Sequence, residues 1–234
     1  MGEQQIMLIT GTRKGIGRYL AKYYTKRGFF VYGCSRTPID YALENHSHFC
    51  LDVTDETKVT HLFAAIRKAH NRLDVVINNA AVNLTRSLFL LVPYQSALRT
   101  VEINLLGTFL MSREAAKLMM KQAFGRIINI SSMAVKHEVE GEALYTASKS
   151  AVISLTRVMA KELYLHGITC NVIAPSALTT DLMDTVDRET LQHLLQRNAI
   201  HEAGKMEDVH NAIDWLLLKE SSAITGQVIY LGGV

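Results

Sequence analysis

Three side chains in the middle of the chain have the types and spacing needed to move a proton to or from a carbonyl oxygen. Tyr145 and Lys149 lie four residues apart in a segment of helical periodicity, so their side chains share one helix face. A nearby ammonium group favours the phenolate, which predicts a lowered pKa for Tyr145. Ser132 follows the apolar run 126–130 and would present its hydroxyl from a strand end. The structural alternative is an amphipathic helix that merely carries a Tyr and a Lys.

A glycine-rich turn near the start of the chain is the second informative feature. It follows the apolar run 6–9 and precedes a helical pattern over 16–26. Such a turn lets the backbone approach a pyrophosphate, and the N–H groups of the helix N-terminus bind the negative charge. The order strand, turn, helix, strand predicts a dinucleotide site, although the spacing G-x-x-x-G-x-G differs from the common fingerprint. The candidate residues of this turn are Gly11, Gly15, Ile16 and Gly17.

The end of the second strand predicts NADP(H) as the cofactor. An NAD-selective site carries a carboxylate there, about 20 residues beyond the glycine turn. Ser35 and Arg36 stand at this strand end, and the first acidic residue is Asp40. The Arg36 guanidinium can pair with a 2′-phosphate, and Ser35 can donate a hydroxyl. Arg13 and Lys14 add positive charge, unless these cations simply belong to a solvated loop.

The composition indicates one soluble α/β domain that spans residues 1–234. The chain has 234 residues, is 48% hydrophobic and carries a net charge of +3, which argues against a nucleic-acid partner. Neither a membrane span nor a signal-peptide pattern is found, so a cytoplasmic location without membrane attachment is expected. Cys34, Cys50 and Cys170 each fall in a predicted buried strand and are interpreted as reduced core thiols. The histidine spacing predicts no metal site.

Apolar runs and helical patterns alternate along the chain. Strands separated by helices require crossover connections, which predicts a doubly wound Rossmann-type domain with an approximately seven-stranded parallel sheet and helices on both faces. A turn-rich segment, about 175–205, is interpreted as the substrate loop. The predicted strands are 6–9, 29–34, 49–51, 73–77, 126–130, 168–173 and 227–231, and the helices 16–26, 56–69, 94–120, 144–164 and 207–218.

Together these motifs resemble the short-chain dehydrogenase/reductase (SDR) family and, within it, the 3-oxoacyl reductase-like branch. The similarity extends over nearly the whole chain. The motifs that carry it are Thr10-Gly11-x-x-x-Gly15-Ile16-Gly17, Asp52-Val53, Asn78-Asn79-Ala80, Asn104, Ser132, Tyr145-x-x-x-Lys149, Asn171 with Pro175, and Thr180.

The resemblance implies a set of catalytic roles. Tyr145 is the general acid in reduction or the base in oxidation. Lys149 lowers its pKa and holds the nicotinamide ribose, and Ser132 hydrogen-bonds the substrate carbonyl. Asn104 orders a water that relays the proton through Lys149, although it could instead bridge backbone groups in a long helix. Ser131 is the alternative hydroxyl, and the spacing in the family favours Ser132.

The resemblance also implies contacts with the cofactor. Asp52 contacts adenine and Val53 lines its pocket, although Asp52 could instead cap the helix after Thr54. Asn79 approaches the adenosine ribose, and Leu178 and Thr180 hold the nicotinamide end. The full implied set outside the glycine turn and strand end is Asp52, Val53, Asn79, Ala80, Tyr145, Lys149, Pro175, Leu178 and Thr180.

The function implied is NADPH-dependent reduction of a ketone or 3-oxoacyl-type carbonyl on a small molecule to a secondary alcohol, by a homotetramer or homodimer. An alcohol dehydrogenase working in the oxidative direction is one alternative. A non-catalytic dinucleotide-sensing regulator is another, but it has no need of the proton donor. Ala81 and Ser176 replace the family's usual glycines, and Ala123 and His166 stand where carrier-protein-dependent reductases carry docking arginines. A solvated loop is predicted between Ser132 and Tyr145, with one or two of its residues touching substrate: Lys136, His137, Glu138, Glu140 and Glu142.

Overall fold

The computed structural model describes residues 4–178 and 195–233. Within these residues, seven strands form one parallel sheet in the order β3-β2-β1-β4-β5-β6-β7. This confirms the predicted doubly wound fold. The strands are β1 (Ile6–Thr10), β2 (Phe30–Ser35), β3 (His46–Cys50), β4 (Val75–Asn78), β5 (Gly125–Ile130), β6 (Ile168–Ala174) and β7 (Val228–Tyr230).

Helices cover both faces of the sheet. Because both faces are covered, central strands such as β1 are buried at every position. One apolar cluster packs α2, α4 and α6 against one face, and a second packs α1 and α7 against the other. The helices are α1 (Gly15–Lys26), α2 (Glu56–His70), α3 (Tyr94–Val101), α4 (Thr108–Gln122), α5 (Ala134–His137), α6 (Ala143–Leu163) and α7 (Met206–Leu217).

The strand order places a crevice at the carboxyl ends of β1 and β4. From β1 the chain builds outward through β2 and β3, then returns to the other side of β1 with β4. Loops that leave β1 and β4 therefore diverge. In sheets of this kind, ligands bind where the strand order reverses.

The prediction of a single α-helix over 94–120 is wrong in the middle of that range. A π-helical segment, Glu102–Gly107, separates α3 from α4. Within it, the Asn104 side chain pairs with both the N–H and the carbonyl of Val82. π-helical turns occur frequently at functional sites.

The third strand differs from its prediction at both ends, since it begins at His46 and ends at Cys50. Cys50 is exposed, so its prediction as a core thiol is wrong, whereas Cys34 and Cys170 are buried as expected. The reason is topological: β3 is the edge strand and pairs only with β2.

Candidate active site

The glycine turn between β1 and α1 is held by two neighbouring strands. The Gly11 N–H donates to the Cys34 carbonyl in β2 at 2.8 Å. The Asn79 side-chain amide donates to the Thr10 carbonyl at 2.9 Å. In return, the Thr10 hydroxyl accepts the N–H groups of Asn79 and Ala80, each at 2.9 Å. Asn79 therefore fixes the shape of the turn, a role that the sequence did not indicate.

Glycine is needed in this turn for two different reasons. Gly11 and Gly15 have φ values of +75° and +56°, which L side chains rarely adopt. Gly17 lacks room instead, because a Cβ there would collide with the Gly11 carbonyl and approach Asn79 Nδ2 to 2.7 Å. Lys14 occupies the N-cap position of α1, and its side chain makes no capping hydrogen bond. The first N–H groups of α1 thus keep their capacity to bind an anion.

A cavity of about 800 Å³ occupies the crevice at the carboxyl ends of the strands. Asn104 and Gly17 are buried outside its wall, and Thr180 lies outside the described residues. All the other candidate residues are in the wall. They are Gly11, Arg13, Lys14, Gly15, Ile16, Ser35, Arg36, Asp52, Val53, Asn79, Ala80, Ser132, Tyr145, Lys149, Pro175 and Leu178.

Tyr145 and Lys149 share one face of α6, and both line the cavity. The Lys149 Nζ atom donates to the Ile130 carbonyl at 2.8 Å and lies 5.9 Å from the centre of the Tyr145 ring. Lys149 is only 3% exposed. The ammonium group is therefore anchored to the end of β5 and has limited contact with solvent.

Burial shifts the pKa values of both groups away from their charged forms. It raises the pKa of Tyr145, helped by the charge of Glu142 and opposed by hydrogen bonding with Ser132 and by the charge of Arg86. It lowers the pKa of Lys149 to about 8. The expected lowering of the Tyr145 pKa is thus wrong for the protein alone, because burial of the phenol has the larger effect.

The two serines after β5 have different environments. The Ser131 hydroxyl donates to the Lys149 backbone carbonyl at 3.1 Å, and the residue is 4% exposed. The Ser132 hydroxyl accepts the Ala134 N–H at 3.1 Å. Ser132 also hydrogen-bonds with the Tyr145 phenol, which opposes the rise in the Tyr145 pKa. Of the two, Ser132 is the one whose hydroxyl is hydrogen-bonded with the Tyr145 phenol.

Asn104 is fully buried, and its side chain makes three hydrogen bonds within the protein. Its Oδ1 accepts the Val82 N–H at 2.8 Å, and its Nδ2 donates to the Val82 carbonyl at 2.9 Å and to the Ser148 hydroxyl at 3.0 Å. It thus ties the loop after β4 to α6. The backbone groups that the side chain bridges belong to Val82, which lies outside the helix considered in the sequence interpretation.

Asp52 lies in the cavity wall with both carboxylate oxygens engaged. Oδ1 accepts the Thr54 N–H at 3.0 Å and the Thr54 hydroxyl at 2.8 Å, and Oδ2 pairs with Arg99. Burial raises the pKa of Asp52, but these hydrogen bonds and the Arg99 charge outweigh it, so the net shift is downward. The suggestion that Asp52 caps the next helix is wrong: Asp55 caps α2 by accepting the Lys58 N–H.

The corner where β2 ends is positively charged. Arg13, Lys14 and Arg36 are exposed around the cavity mouth, and none has a salt-bridge partner in the described ranges. The Ser35 hydroxyl donates to the Thr37 carbonyl at 2.8 Å and lies 2.8 Å from His48 Nε2. Its proton is therefore already used within the protein, which the sequence could not indicate.

Five further polar residues line the cavity, and the sequence indicated only two of them, His137 and Glu142, as residues that touch substrate. Asn83 and Arg86 contact Glu142 at 3.1 Å and 3.5 Å. His137 Nε2 lies 2.7 Å from Asn198 Oδ1. Only the placement of His137 and Glu142 on a loop beside the pocket gave a signal. All five residues line the cavity near Tyr145.

The residues that the structure describes contain neither a metal-binding cluster nor a helix that could span a membrane. They hold no cluster of three or more His, Cys, Asp or Glu side chains that could bind a metal ion. Among these same residues, no helix is both long and apolar enough to cross a membrane.

Residues 11–233 match a family model described as "Enoyl-(Acyl carrier protein) reductase". The chain is 32% identical over 236 residues to the 3-oxoacyl-(acyl-carrier-protein) reductase FabG of Rickettsia bellii, an alignment that covers 98% of the chain and 95% of that protein. A solved structure, ElxO with NADP bound, has a TM-score of 0.89, 30% identity, and coverage of 98% of the chain and 97% of ElxO. NAD⁺-bound xylitol dehydrogenase shares the fold with a TM-score of 0.89 at 22% identity, over 98% of both chains.

The fold, the site and these matches define an oxidoreductase with a dinucleotide-binding fold. The chain belongs to the short-chain dehydrogenase/reductase family, which confirms the resemblance seen in its sequence.

Proposed function

We propose that this protein is an NADPH-dependent reductase that converts a ketone or 3-oxoacyl-type carbonyl into a secondary alcohol. In the balanced reaction, ketone, NADPH and one proton give alcohol and NADP⁺. One observation carries the proposal: the phenol, hydroxyl and ammonium of Tyr145, Ser132 and Lys149 line the same cavity as the glycine turn. The names of the relatives, which include 3-oxoacyl reductases, support the substrate type.

The residues present fit a bound NADP(H). The uncapped N-terminus of α1 and the close-packed Gly17 suit a pyrophosphate at the glycine turn. Arg36, with Arg13 and Lys14, suits a 2′-phosphate at the cavity mouth. We propose that Asp52 and Val53 border the adenine, with Asn79 and Ala80 beside the adenosine ribose. Pro175, Leu178 and Thr180 complete the proposed set at the nicotinamide end.

When bound, the cofactor supplies the hydride. Tyr145 then donates its phenolic proton to the carbonyl oxygen, and the Ser132 hydroxyl hydrogen-bonds the same oxygen. Lys149 donates one of its three ammonium protons to the Ile130 carbonyl. The other two are available to the ribose and to proton transfer. Asn104 positions α6 through Ser148 and contributes to the proton relay.

The environment of Tyr145 supports its proposed role as a proton donor. Burial raises the pKa of Tyr145, so the phenol is protonated at neutral pH. A proton donor is the form that reduction requires, whereas oxidation requires the phenolate. The same intact donor argues for an enzyme and against a regulator that only senses the cofactor.

We also propose that the enzyme is a cytoplasmic homotetramer or homodimer. Apolar side chains are exposed along α3, the π-helical segment and α4, with Leu98, Leu106 and Phe109 at 40%, 50% and 42%. Val158 on α6 is 50% exposed. Burying such side chains between subunits is favourable, and a two-fold axis would pair like surfaces.

The proposed activity is tested by following NADPH oxidation with a carbonyl panel. The panel contains 3-oxoacyl thioesters, β-keto esters and keto sugars, each assayed with NADPH and with NADH. Turnover of at least one carbonyl, with NADPH preferred, is the expected result. Absence of turnover across the panel, with tight NADPH binding retained, would favour the regulator instead.

A further inference from the structure

One carboxylate stands in the cavity wall beside the proposed proton donor. Glu142 occupies the N-cap position of α6, three residues before Tyr145, so the two residues share a helix face. An N-cap side chain usually accepts an N–H of its own helix, but Glu142 makes no such bond. The Glu142 carboxylate oxygens are therefore free to accept from groups outside α6.

Two side chains from the loop after β4 hold this carboxylate by one oxygen. Asn83 Nδ2 donates to Glu142 Oε1 at 3.1 Å, and Arg86 lies 3.5 Å from the same oxygen. The Glu142 side chain is 12% exposed. Neither contact uses Oε2, which has no partner in the part of the chain that the structure describes. Since Glu142 is in the wall and Oε2 is not among the fully buried polar atoms, a ligand can reach it.

A second unpaired acceptor lies in the same corner. A carboxylate cannot donate, so the Asn83 amide must turn its NH₂ group toward Glu142 and its Oδ1 away. That Oδ1 is buried and has no hydrogen-bond partner among the described residues. The corner beside Tyr145 therefore has two unpaired acceptor oxygens, Glu142 Oε2 and Asn83 Oδ1, next to the Arg86 guanidinium.

We infer that Glu142 determines substrate specificity, by accepting a hydrogen bond through Oε2 from a hydroxyl or ammonium group next to the reacting carbonyl. The inference rests on the proposed reductase function and, of its two carbonyl types, selects the ketone: the substrates are ketones with a hydrogen-bond-donating substituent on the adjacent carbon. A carboxylate accepts strongly from such donors, and leaving it unpaired opposite an apolar group is unfavourable.

The same geometry disfavours a simple 3-oxoacyl thioester. Its thioester carbonyl is an acceptor, and it would bring a second oxygen toward Oε2. His137 and Asn198, which line the same cavity, already contact each other at 2.7 Å. Arg86 is the nearby donor, but its charge is paired with Glu142. A donor substituent satisfies Oε2 without breaking either pair.

The test uses three ketones of one shape, CH₃–CO–CH₂–X, in which X is a hydroxyl, an ammonium or a methyl group. These are hydroxyacetone, aminoacetone and butanone, and acetoacetyl thioester is the fourth substrate. We expect kcat/KM with NADPH to be at least about tenfold higher for hydroxyacetone and aminoacetone than for butanone. The thioester should be no better than butanone.

Two substitutions give different predicted patterns. Glu142→Leu removes the acceptor, so the ratios of the donor ketones to butanone should fall to within about twofold of one. In Glu142→Gln, Asn83 and Arg86 still need the Oε1 acceptor, so the amide NH₂ takes the place of Oε2 and faces the cavity. Aminoacetone should then lose its whole advantage, hydroxyacetone should keep part of it, and the thioester should gain.

Glu162→Gln is the matched control, because it removes an exposed carboxylate near the other end of the same helix. Binding of NADPH and the unfolding midpoint of each variant show whether it is folded. Two results would overturn this inference and leave the reductase proposal intact. One is a wild type that reduces the ketones with kcat/KM ratios of donor ketone to butanone near one. The other is a set of ratios that Glu142→Leu leaves unchanged. A protein that reduces other carbonyls but none of these four ketones overturns this inference alone, and one that reduces no carbonyl at all overturns both.

Discussion

The ammonium nitrogen of Lys149 lies 5.9 Å from the centre of the Tyr145 ring and is held there by a 2.8 Å hydrogen bond to the Ile130 carbonyl. Both side chains project from one face of α6 into the cavity. Because Lys149 is anchored to β5 and not to the phenol, the two groups can be removed one at a time. The first two predictions use this separation.

Tyr145→Phe removes the proposed proton donor and keeps the ring. We expect kcat to fall by about 10²–10⁴-fold, because a positioned acid typically contributes that much. NADPH affinity, measured by fluorescence titration, should change by less than about threefold. Tyr164→Phe, at a tyrosine that is 57% exposed beyond α6, is the control. A Tyr145→Phe protein that keeps more than about a tenth of wild-type activity would contradict the assignment.

Lys149→Met should change how stability depends on pH. Burial lowers the pKa of Lys149 to about 8, whereas an unfolded lysine titrates near about 10.4. Between these values the unfolded chain binds more protons, so this site makes the wild type more stable as pH rises. The variant lacks that gain. Its unfolding free energy relative to wild type should fall by up to about 1.4 kcal/mol per pH unit from pH 8 toward 10.

The measurement is urea unfolding of both proteins at several pH values from about 7 to about 10. Taking the difference at each pH cancels the titration of Cys34 and Cys170, whose pKa values burial raises to about 12. Lys161→Met removes an exposed ammonium from the same helix and serves as the control. If the free energies of unfolding of Lys149→Met and wild type differ by the same amount at every pH, the pKa of Lys149 is not lowered.

Arg36→Asp should reverse the cofactor preference. The guanidinium is exposed at the cavity mouth, where a carboxylate would repel a 2′-phosphate and bind a ribose hydroxyl. We expect NADPH binding to weaken at least about tenfold, about 1.4 kcal/mol, with much less effect on NADH. Raised salt should reduce the wild-type preference, since the charges are exposed.

Lys68→Asp reverses an exposed charge on α2 and is the control for a general effect of net charge. Equal wild-type kcat/KM for NADPH and NADH would exclude the proposed specificity.

Gly17→Ala should damage the cofactor site more than Gly15→Ala. A Cβ at Gly17 collides with the Gly11 carbonyl, so the turn must move, and NADPH affinity should fall at least about tenfold. At Gly15 there is open space within 4 Å of the added Cβ. Gly15→Ala should instead lower the free energy of unfolding by about 1–2 kcal/mol, because the residue has a φ of +56°. Calorimetric unfolding and NADPH titration of both variants measure the contrast. Similar losses of affinity would refute it.

Phe109→Glu should weaken self-association. Phe109 is 42% exposed on α4, beside Leu106, and a charge there would be buried between subunits. Light scattering should give a multimeric mass for the wild type and a smaller mass for the variant. Leu165→Glu, at a residue that is 87% exposed outside these helices, should leave the mass unchanged. A monomeric wild type at micromolar concentration would exclude the proposed assembly.

Several features of the protein were predictable because they depend on neighbours in the sequence. The alternation of apolar runs and helical patterns indicates the parallel sheet, and boundaries such as Ile168–Ala174 differ by about one residue from those predicted. The shared face of Tyr145 and Lys149 follows from helical spacing alone. Gly11 and Gly15 were assigned to a turn because glycine tolerates such conformations.

The errors have physical causes that lie in other parts of the chain. The π-helical segment forms where Asn104 bonds to Val82, which is 22 residues away. Cys50 is exposed because of the position of its strand at the sheet edge. Neither the partner nor the position at the edge can be read from local periodicity.

Only the tertiary structure decided which polar groups meet in the cavity. Asp52 pairs with Arg99 across 47 residues, and Asn83 holds Glu142 across 59. The segments that follow β3, β4 and β5 bring these partners together at the carboxyl ends of the strands, and the sequence does not encode that meeting in any local pattern. The residue types and the reaction class were therefore readable from the sequence, whereas the hydrogen-bond partners that bear on specificity depend on long-range packing.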